Sequence, residues 1–411
     1  MSVRRHSRIL LLSAALLGAG VGAGTILPTP AIAAQTVSAK VGKPLQEAQA
    51  AAQRGDFNTA IEKAKEAQAV PGRTAYEDYV INQFLAYAYN AKKDYKNAMA
   101  ATEATLTYSG MPKADRIKLL KALAQQAYQL HDYGKTIDYA NRYQKEAGAD
   151  ADLQLLVANC YYQERDYRQS LAATKAMIDS SEASGHTAPQ KVYALFLSSA
   201  FQLKDNTDIR RALFALIEHY PSDAYWDALA QQINIEGPPP YAQLDLMRIQ
   251  YQKHLLKKDD DVFNFAKLAF ALKLPGDAKT IIDAGFKAKI LGNAPGNRDQ
   301  RLMQAVNDAV TKDQAALEAD DAQAAKGTAG DNDIAVGQRF ASYGKYDRAI
   351  AAIKRGLTKA EVSNPDQTKL ELGRIELQAG HADEGRRTLG SIKAEGATKD
   401  VARLYLIAGI S

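Results

Sequence analysis

The chain has 411 residues, 46% hydrophobic and 24% charged, with a slightly negative mean hydropathy; this excludes wholesale disorder and an integral membrane bundle, and the length suggests two or three globular units. A single cysteine rules out a disulfide framework, a zinc ribbon and an iron–sulfur cluster. The formal charge of +5 falls close to balance once Arg4, Arg5 and Arg8 are set aside with an export segment, so nothing draws the chain to nucleic acid or anionic lipid in general.

Residues 1–34 read as a signal peptide. Arg4, Arg5 and Arg8 supply the positive start, and Ile9 to Gly24 is an apolar run of Leu, Ala and Gly. Pro28 and Pro30 break it ahead of Ala31-Ile32-Ala33, where signal peptidase finds its small residues, with cleavage after Ala33 or Ala34. Retention as an uncleaved anchor is the alternative, since Ile9 to Leu27 is just long enough to span a bilayer. No cysteine sits at the cleavage site for lipid attachment, so the expectation is a periplasmic protein that is not a lipoprotein and has no stable membrane insertion after cleavage.

Downstream, a short anchor recurs: a turn residue, often followed by Asp and then an aromatic, with a small residue three positions further on. It appears as Gly55-Asp56-Phe57 with Ala60, Lys93-Asp94-Tyr95 with Ala98, His131-Asp132-Tyr133 with Thr136, and Arg165-Asp166-Tyr167 with Ser170. Looser copies begin at Lys204, Gly276, Gly344 and Gly380. The interval is about 34 to 39 residues, except for two gaps of about twice that length, each expected to hide one divergent repeat. Within each unit the apolar and small residues recur at helical spacing on both sides of the anchor, as with Leu85, Ala86 and Tyr89 before Lys93 and Ala98 and Thr102 after it. Two antiparallel helices per unit follow. Pro221 stops one second helix and Ser222-Asp223 caps the next, Gly237-Pro238-Pro239-Pro240 is a break no helix crosses, and Lys326 to Asp333 reads as a looser connection. Val401, Leu404, Tyr405 and Ala408 share one face of a final helix, expected as a solvating cap.

The arrangement resembles the tetratricopeptide repeat (TPR), most closely at Val336 to Leu357 and Leu85 to Thr105, with Thr136, Ser170 and Ile209 standing where that family prefers Ala. The resemblance implies an all-α fold: a right-handed α-solenoid of about ten TPR-like helix pairs with a C-terminal capping helix. Residues 35–236 would form an N-terminal solenoid and residues 237–411 divergent repeats plus the cap. The chain looks like exported TPR proteins of proteobacteria, and Tyr220 to Leu291, with Tyr225-Trp226 and Leu274-Pro275-Gly276, is similar to TPR proteins that accompany TonB-type systems.

Motifs for catalysis are absent from the sequence. His131, His186, His219, His254 and His381 are far apart and lack the paired spacing of a zinc hydrolase, and there is no G-x-S-x-G elbow or Walker A loop. Asp259-Asp260-Asp261 lacks the alternation of a calcium loop and reads as helix-start carboxylates. Cys160, in an apolar helical stretch, reads as a buried small hydrophobe. The chain is therefore expected not to be an enzyme and to hold no catalytic, cofactor or metal site.

One column stands out when the repeats are superposed on their anchors. Six, three and two residues ahead of the anchor lie Tyr87, Asn90 and Ala91, then Gln125, Tyr128 and Gln129, then Asn159, Tyr162 and Gln163, then Ser198, Phe201 and Gln202. In the TPR family this part of the first helix lines the concave face. Amides that donate and accept, beside aromatic rings, suit an uncharged or backbone-read ligand: an extended or helical segment of a protein partner in the cell envelope. The same lining suits a glycan such as peptidoglycan or another envelope polysaccharide, and the TonB-type similarity implies an accessory subunit of a transport system. A plainer reading stays open, in which these tyrosines pack between helices and the glutamines are exposed helix formers. A basic clamp for a carboxylate is poorly formed, with Lys118 and Lys121 as its only nearby pair and Lys191 one repeat too far along.

Overall fold

The computed structural model describes residues 36–292 and 295–409; the export segment lies outside the described residues. Twenty α-helices and no strand occur among them, and none of these helices is long and apolar enough to cross a membrane. The chain divides at Arg116/Ile117 into two compact units.

The first unit holds α1 (Ala39–Gln53), α2 (Phe57–Ala69), α3 (Ala75–Ala91) and α4 (Tyr95–Thr105), packed as successive antiparallel neighbours. The division falls in α5 (Lys113–Gln129). The second unit continues with α6 (Tyr133–Ala147), α7 (Ala151–Gln163), α8 (Tyr167–Ala183), α9 (Gln190–Leu203) and α10 (Asn206–His219). Then come α11 (Asp223–Ile235), α12 (Pro240–Gln252), α13 (Asp259–Ala271) and α14 (Pro275–Lys287). The chain ends through α15 (Arg298–Lys326), α16 (Gly330–Ser342), α17 (Tyr346–Leu357), α18 (Pro365–Gln378), α19 (Ala382–Gly390) and α20 (Ala397–Ala408). The fold is an α-solenoid of TPR-like helix pairs.

The recurring anchor is one turn doing two jobs. Its first residue takes a left-handed conformation (Lys93 at φ 63°, His131 at 58°, Arg165 at 63°, Lys204 at 56°), ending the first helix of each pair. The next residue, Asp, donates its backbone N–H five residues back (Asp94 to the Tyr89 carbonyl at 2.9 Å, Asp166 to that of Tyr161 at 2.8 Å), which closes a Schellman cap. The same Asp then caps the second helix: Asp132 and Asp166 each accept a backbone N–H at 3.1 Å, from Lys135 and Gln169. Lys and Arg at the left-handed position place positive charge at a helix C-terminus, which offsets part of the strain a side chain meets there. Three residues on, Ala60, Ala98, Thr136 and Ser170 are all fully buried in the seam. Thr136 and Ser170 replace Ala without cost to pairing because their hydroxyls are satisfied, Thr136 by the Asp132 carbonyl (2.9 Å) and Ser170 by the Ser199 hydroxyl (2.9 Å). Close approach of the paired helices also requires glycine at Gly337, where a Cβ would lie 2.5 Å from Ile353 Cγ1 and 2.9 Å from the Ala349 carbonyl.

The two long gaps resolve differently. The first holds the pair α11/α12, with Ser222 capping α11 at the Tyr225 N–H (3.4 Å) and Pro240 as the first residue of α12. The Gly237–Pro240 break therefore lies inside the second unit, between two paired helices. The second gap holds no pair: Arg298–Lys326 is one 29-residue helix, because it contains neither Gly nor Pro to turn it. Nine pairs and one long helix result. The connection expected over Lys326 to Asp333 shrinks to Gly327–Ala329, and Asp333 is buried in α16, held by Arg355 and Lys359 at 2.5 Å each.

The final helix is more than a solvating cap. Val401, Leu404 and Tyr405 are buried, and α20 packs on α18 and α19 and also on α12. One apolar cluster unites Trp226, Leu246 and Ile249 with Leu370, Val401 and Leu404. The last repeats of the second unit therefore close back onto its middle.

Replacing Asp166 by Ala is expected to cost about 1 kcal/mol, since it removes the side-chain acceptor at the start of α8. Chemical denaturation of the full chain, followed by circular dichroism, measures it, with Asp166→Asn losing less than half as much.

Candidate partner-binding site

The predicted column falls at the C-terminal ends of the first helices, and its members divide by what they touch. In the first unit Tyr87 on α3 is 43% exposed and leans on Phe57 and Phe84, ring centroids 6.1 and 6.2 Å away; Asn90 is exposed. In the second unit Tyr128 and Tyr162 are only half-exposed. Tyr128 packs on the anchor ring of Tyr133 at 5.8 Å and Tyr162 edge-on to Tyr167 at 5.2 Å. Burial pushes the Tyr128 phenol above its usual range, with Cys160 close by. Each of these two rings bridges the two helices of its pair.

Two of the polar positions are also spoken for. Asn159 Nδ2 donates to the Leu155 carbonyl (2.9 Å) and Ser198 Oγ to the Ala194 carbonyl (2.8 Å), each one turn back on its own helix. What remains is a smaller set: Gln125 and Gln129 on α5, Gln163 on α7, and Gln202 with Phe201 on α9. All five are exposed, Phe201 by 45%. Helices α7 and α9 pack together, and these residues hold equivalent places ahead of their turns. The surface they form offers amide donors and acceptors and one aromatic ring, and carries no charge of its own.

Nearby cations do not alter that character. Lys121 is ion-paired with Asp150 and Lys191 with Asp152 at 3.2 Å. Asp150 is partly desolvated, yet the Lys121 ammonium and the Leu153 N–H hold its carboxyl below the usual range. Burial pushes the Cys160 thiol up to about 11, so it sits in the core as an inert hydrophobe. Asp260 meets Arg298 at 2.6 Å in the first turn of α13. Among the described residues no three metal-ligating side chains converge.

A feature that the repeat pattern did not reveal lies across the second helices. Tyr143 and Gln144 on α6, Gln154 on α7, and Met177 and Ser180 on α8 surround a cavity of about 280 Å³. Its walls come from three helices, so only the packing of α6 and α8 against α7 creates it.

The chain matches no protein-family model, and none of the curated proteins is significantly similar to it. Solved structures that resemble it include a tetratricopeptide repeat protein from Parabacteroides merdae, 12% identical, matching 66% of this chain and 99% of that one at a TM-score of 0.30. The TPR2AB domain of yeast Sti1 in its pHSP90 complex is 16% identical over 65% of this chain and 98% of that one, at 0.31. Yeast Tom70 is 11% identical over 90% and 95%, at 0.24. These overlays are loose, and the repeat assignment rests on the helix pairing and turn geometry of the chain itself.

The division within the column makes a stability prediction. Tyr162→Ala should cost about 1–3 kcal/mol because its ring fills the α7/α8 seam, whereas Phe201→Ala should cost under about 1 kcal/mol. Thermal unfolding of the two variants beside the wild type reads the difference.

Proposed function

We propose that the chain is an interaction scaffold, and that the exposed ends of α5, α7 and α9 in the second unit receive an uncharged stretch of a partner protein. The observation that carries this reading is the set Gln125, Gln129, Gln163, Phe201 and Gln202: four exposed amides and one exposed ring, at equivalent places on successive first helices. Side-chain amides satisfy the N–H and C=O groups of an extended segment together, and an exposed Phe contributes apolar area with little side-chain freedom to lose. Lys121 and Lys191 are already paired, and the exposed Arg165 and Lys204 lie two residues beyond Gln163 and Gln202, at the rim, so the amides and the ring would select backbone and apolar groups. Export through residues 1–34 belongs to the same proposal and places the partner in the periplasm or cell envelope; its mark is a mature protein that starts at Ala34 or Gln35.

The test uses residues 35–411 as bait in solubilised envelope extract, beside a Gln163→Ala/Phe201→Ala/Gln202→Ala variant. Tyr128 and Tyr162 are left intact because they support the fold. A protein retained by the wild type and reduced at least tenfold by the variant, with both baits equally stable, supports the reading. Equal retention by both removes the site from this face, and retention of glycan from purified sacculi by the wild type alone would favour a carbohydrate ligand on the same residues.

A further inference from the structure

Where the last repeats close onto α12, the contact is not wholly apolar. Asp245 and Arg248 on α12 face Glu371 and Arg374 on α18, and all four are buried. Each helix carries a carboxylate and an arginine one turn apart, and each arginine reaches both ways. Arg248 Nη1 donates to Asp245 Oδ1 at 2.5 Å and lies 3.8 Å from Glu371 Oε2. Arg374 Nη2 donates to Glu371 Oε2 at 3.2 Å, and its Nε lies 3.1 Å from Asp245 Oδ1. Tyr405 from α20 adds a hydroxyl donor to Asp245 Oδ1 at 3.1 Å, Asp277 from α14 binds the other edge of Arg248, and half-buried Tyr241 of α12 stands near Glu371.

Two features of this cluster do not balance while every carboxyl is ionised. Three carboxylates meet two guanidiniums. The donors also crowd onto one oxygen of each inner carboxyl, leaving Asp245 Oδ2 and Glu371 Oε1 buried with no partner. Both inner carboxyls are held by the same two guanidiniums, which places their like charges side by side in a dry interior. A proton on Glu371 equalises the charge and turns one carboxylate of the pair into a neutral group that can donate.

We propose that a proton held on Glu371 beside the buried Asp245 keeps α18 and α20 against α12, so that this junction is a pH-sensitive clasp which loosens when the proton leaves. Loss of the proton puts two like charges side by side in a dry interior, and parting the helices relieves that by admitting water. Burial and the Asp245 carboxylate both raise the Glu371 carboxyl, to about 8 from an ordinary 4.5, against the pull of Arg374 and Arg248. The sign follows. The closed form binds a proton that the open form lacks, so closure is fully favoured below about 4.5, weakens about tenfold per pH unit on the way up, and levels off above about 8. Asp400, at the start of α20 beside Arg210, is also raised by burial and pulls the same way, so a variant is needed to isolate the inner pair.

Hydrogen exchange of the full chain between about pH 5 and 9, corrected for intrinsic rates, tests the clasp. Amides of α18 and α20 should lose protection roughly tenfold per unit up to about pH 8 and then level, while those of α7 and α8 hold steady. Trp226, the only tryptophan and a member of the same apolar cluster, gives a second readout through its access to acrylamide. Glu371→Gln keeps a neutral donor toward Asp245 and should remain closed at pH 8 with most of the slope gone. Wild-type protection in α18 and α20 that stays level from pH 5 to 8 overturns the proposal whether or not the variant folds, and so does an unchanged slope in Glu371→Gln.

Discussion

Every helix in this chain has an apolar stripe that only a neighbouring helix can cover, so the structure depends on the turn that brings each partner alongside. That turn is set by three adjacent residues. A left-handed residue ends one helix, an Asp closes the Schellman bond behind it and caps the next helix ahead, and an aromatic ring seals the hairpin. Because a single Asp serves both ends, the geometry of the pair is fixed over a few residues, and the buried small side chain three positions later can stay small. Thr136 and Ser170 show how much variation this tolerates: a hydroxyl enters the seam where it finds a carbonyl or a second hydroxyl.

Pairs joined in this way would leave the last apolar face open to solvent, which the second unit avoids. Helix α20 lies between the final pair and α12, and brings residues far apart in sequence into one apolar cluster. The Tyr405–Asp245 contact spans 160 positions. Burying four charged groups at this junction is costly compared with burying apolar ones, and their reciprocal bonding fixes which faces of α12 and α18 meet. Local turns thus determine each hairpin, while one ionic junction governs the long-range closure.

The hairpins were legible in the sequence because their information is local: Asp-aromatic after a turn residue, with apolar positions three and four apart. The missing tenth pair was not, because spacing alone suggested a repeat where Arg298–Lys326 has no residue able to turn a helix. Closure could not be read either, since Asp245/Arg248 and Glu371/Arg374 each look like a solvated pair one helical turn apart and only the tertiary fold brings them face to face. In the candidate site the register of the amide column was legible, but the direction of each side chain was not. Asn159 and Ser198 turn back to their own helices and Tyr128 and Tyr162 into the seam, choices set by neighbouring atoms and not by position in the repeat.

With those four turned inward, the uncharged face at the ends of α5, α7 and α9 is narrower than the sequence column and better defined. It consists of residues whose amides and ring are exposed, at the ends of helices set by the turns behind them. The central claim, that this face contacts a partner, is tested most directly by placing a photo-reactive phenylalanine analogue at position 202 of the full chain in its native cells, with position 168 on exposed α8 as the control. The account predicts a discrete protein adduct from position 202 that is absent from position 168. No adduct at 202, or the same adducts from both positions, would contradict it.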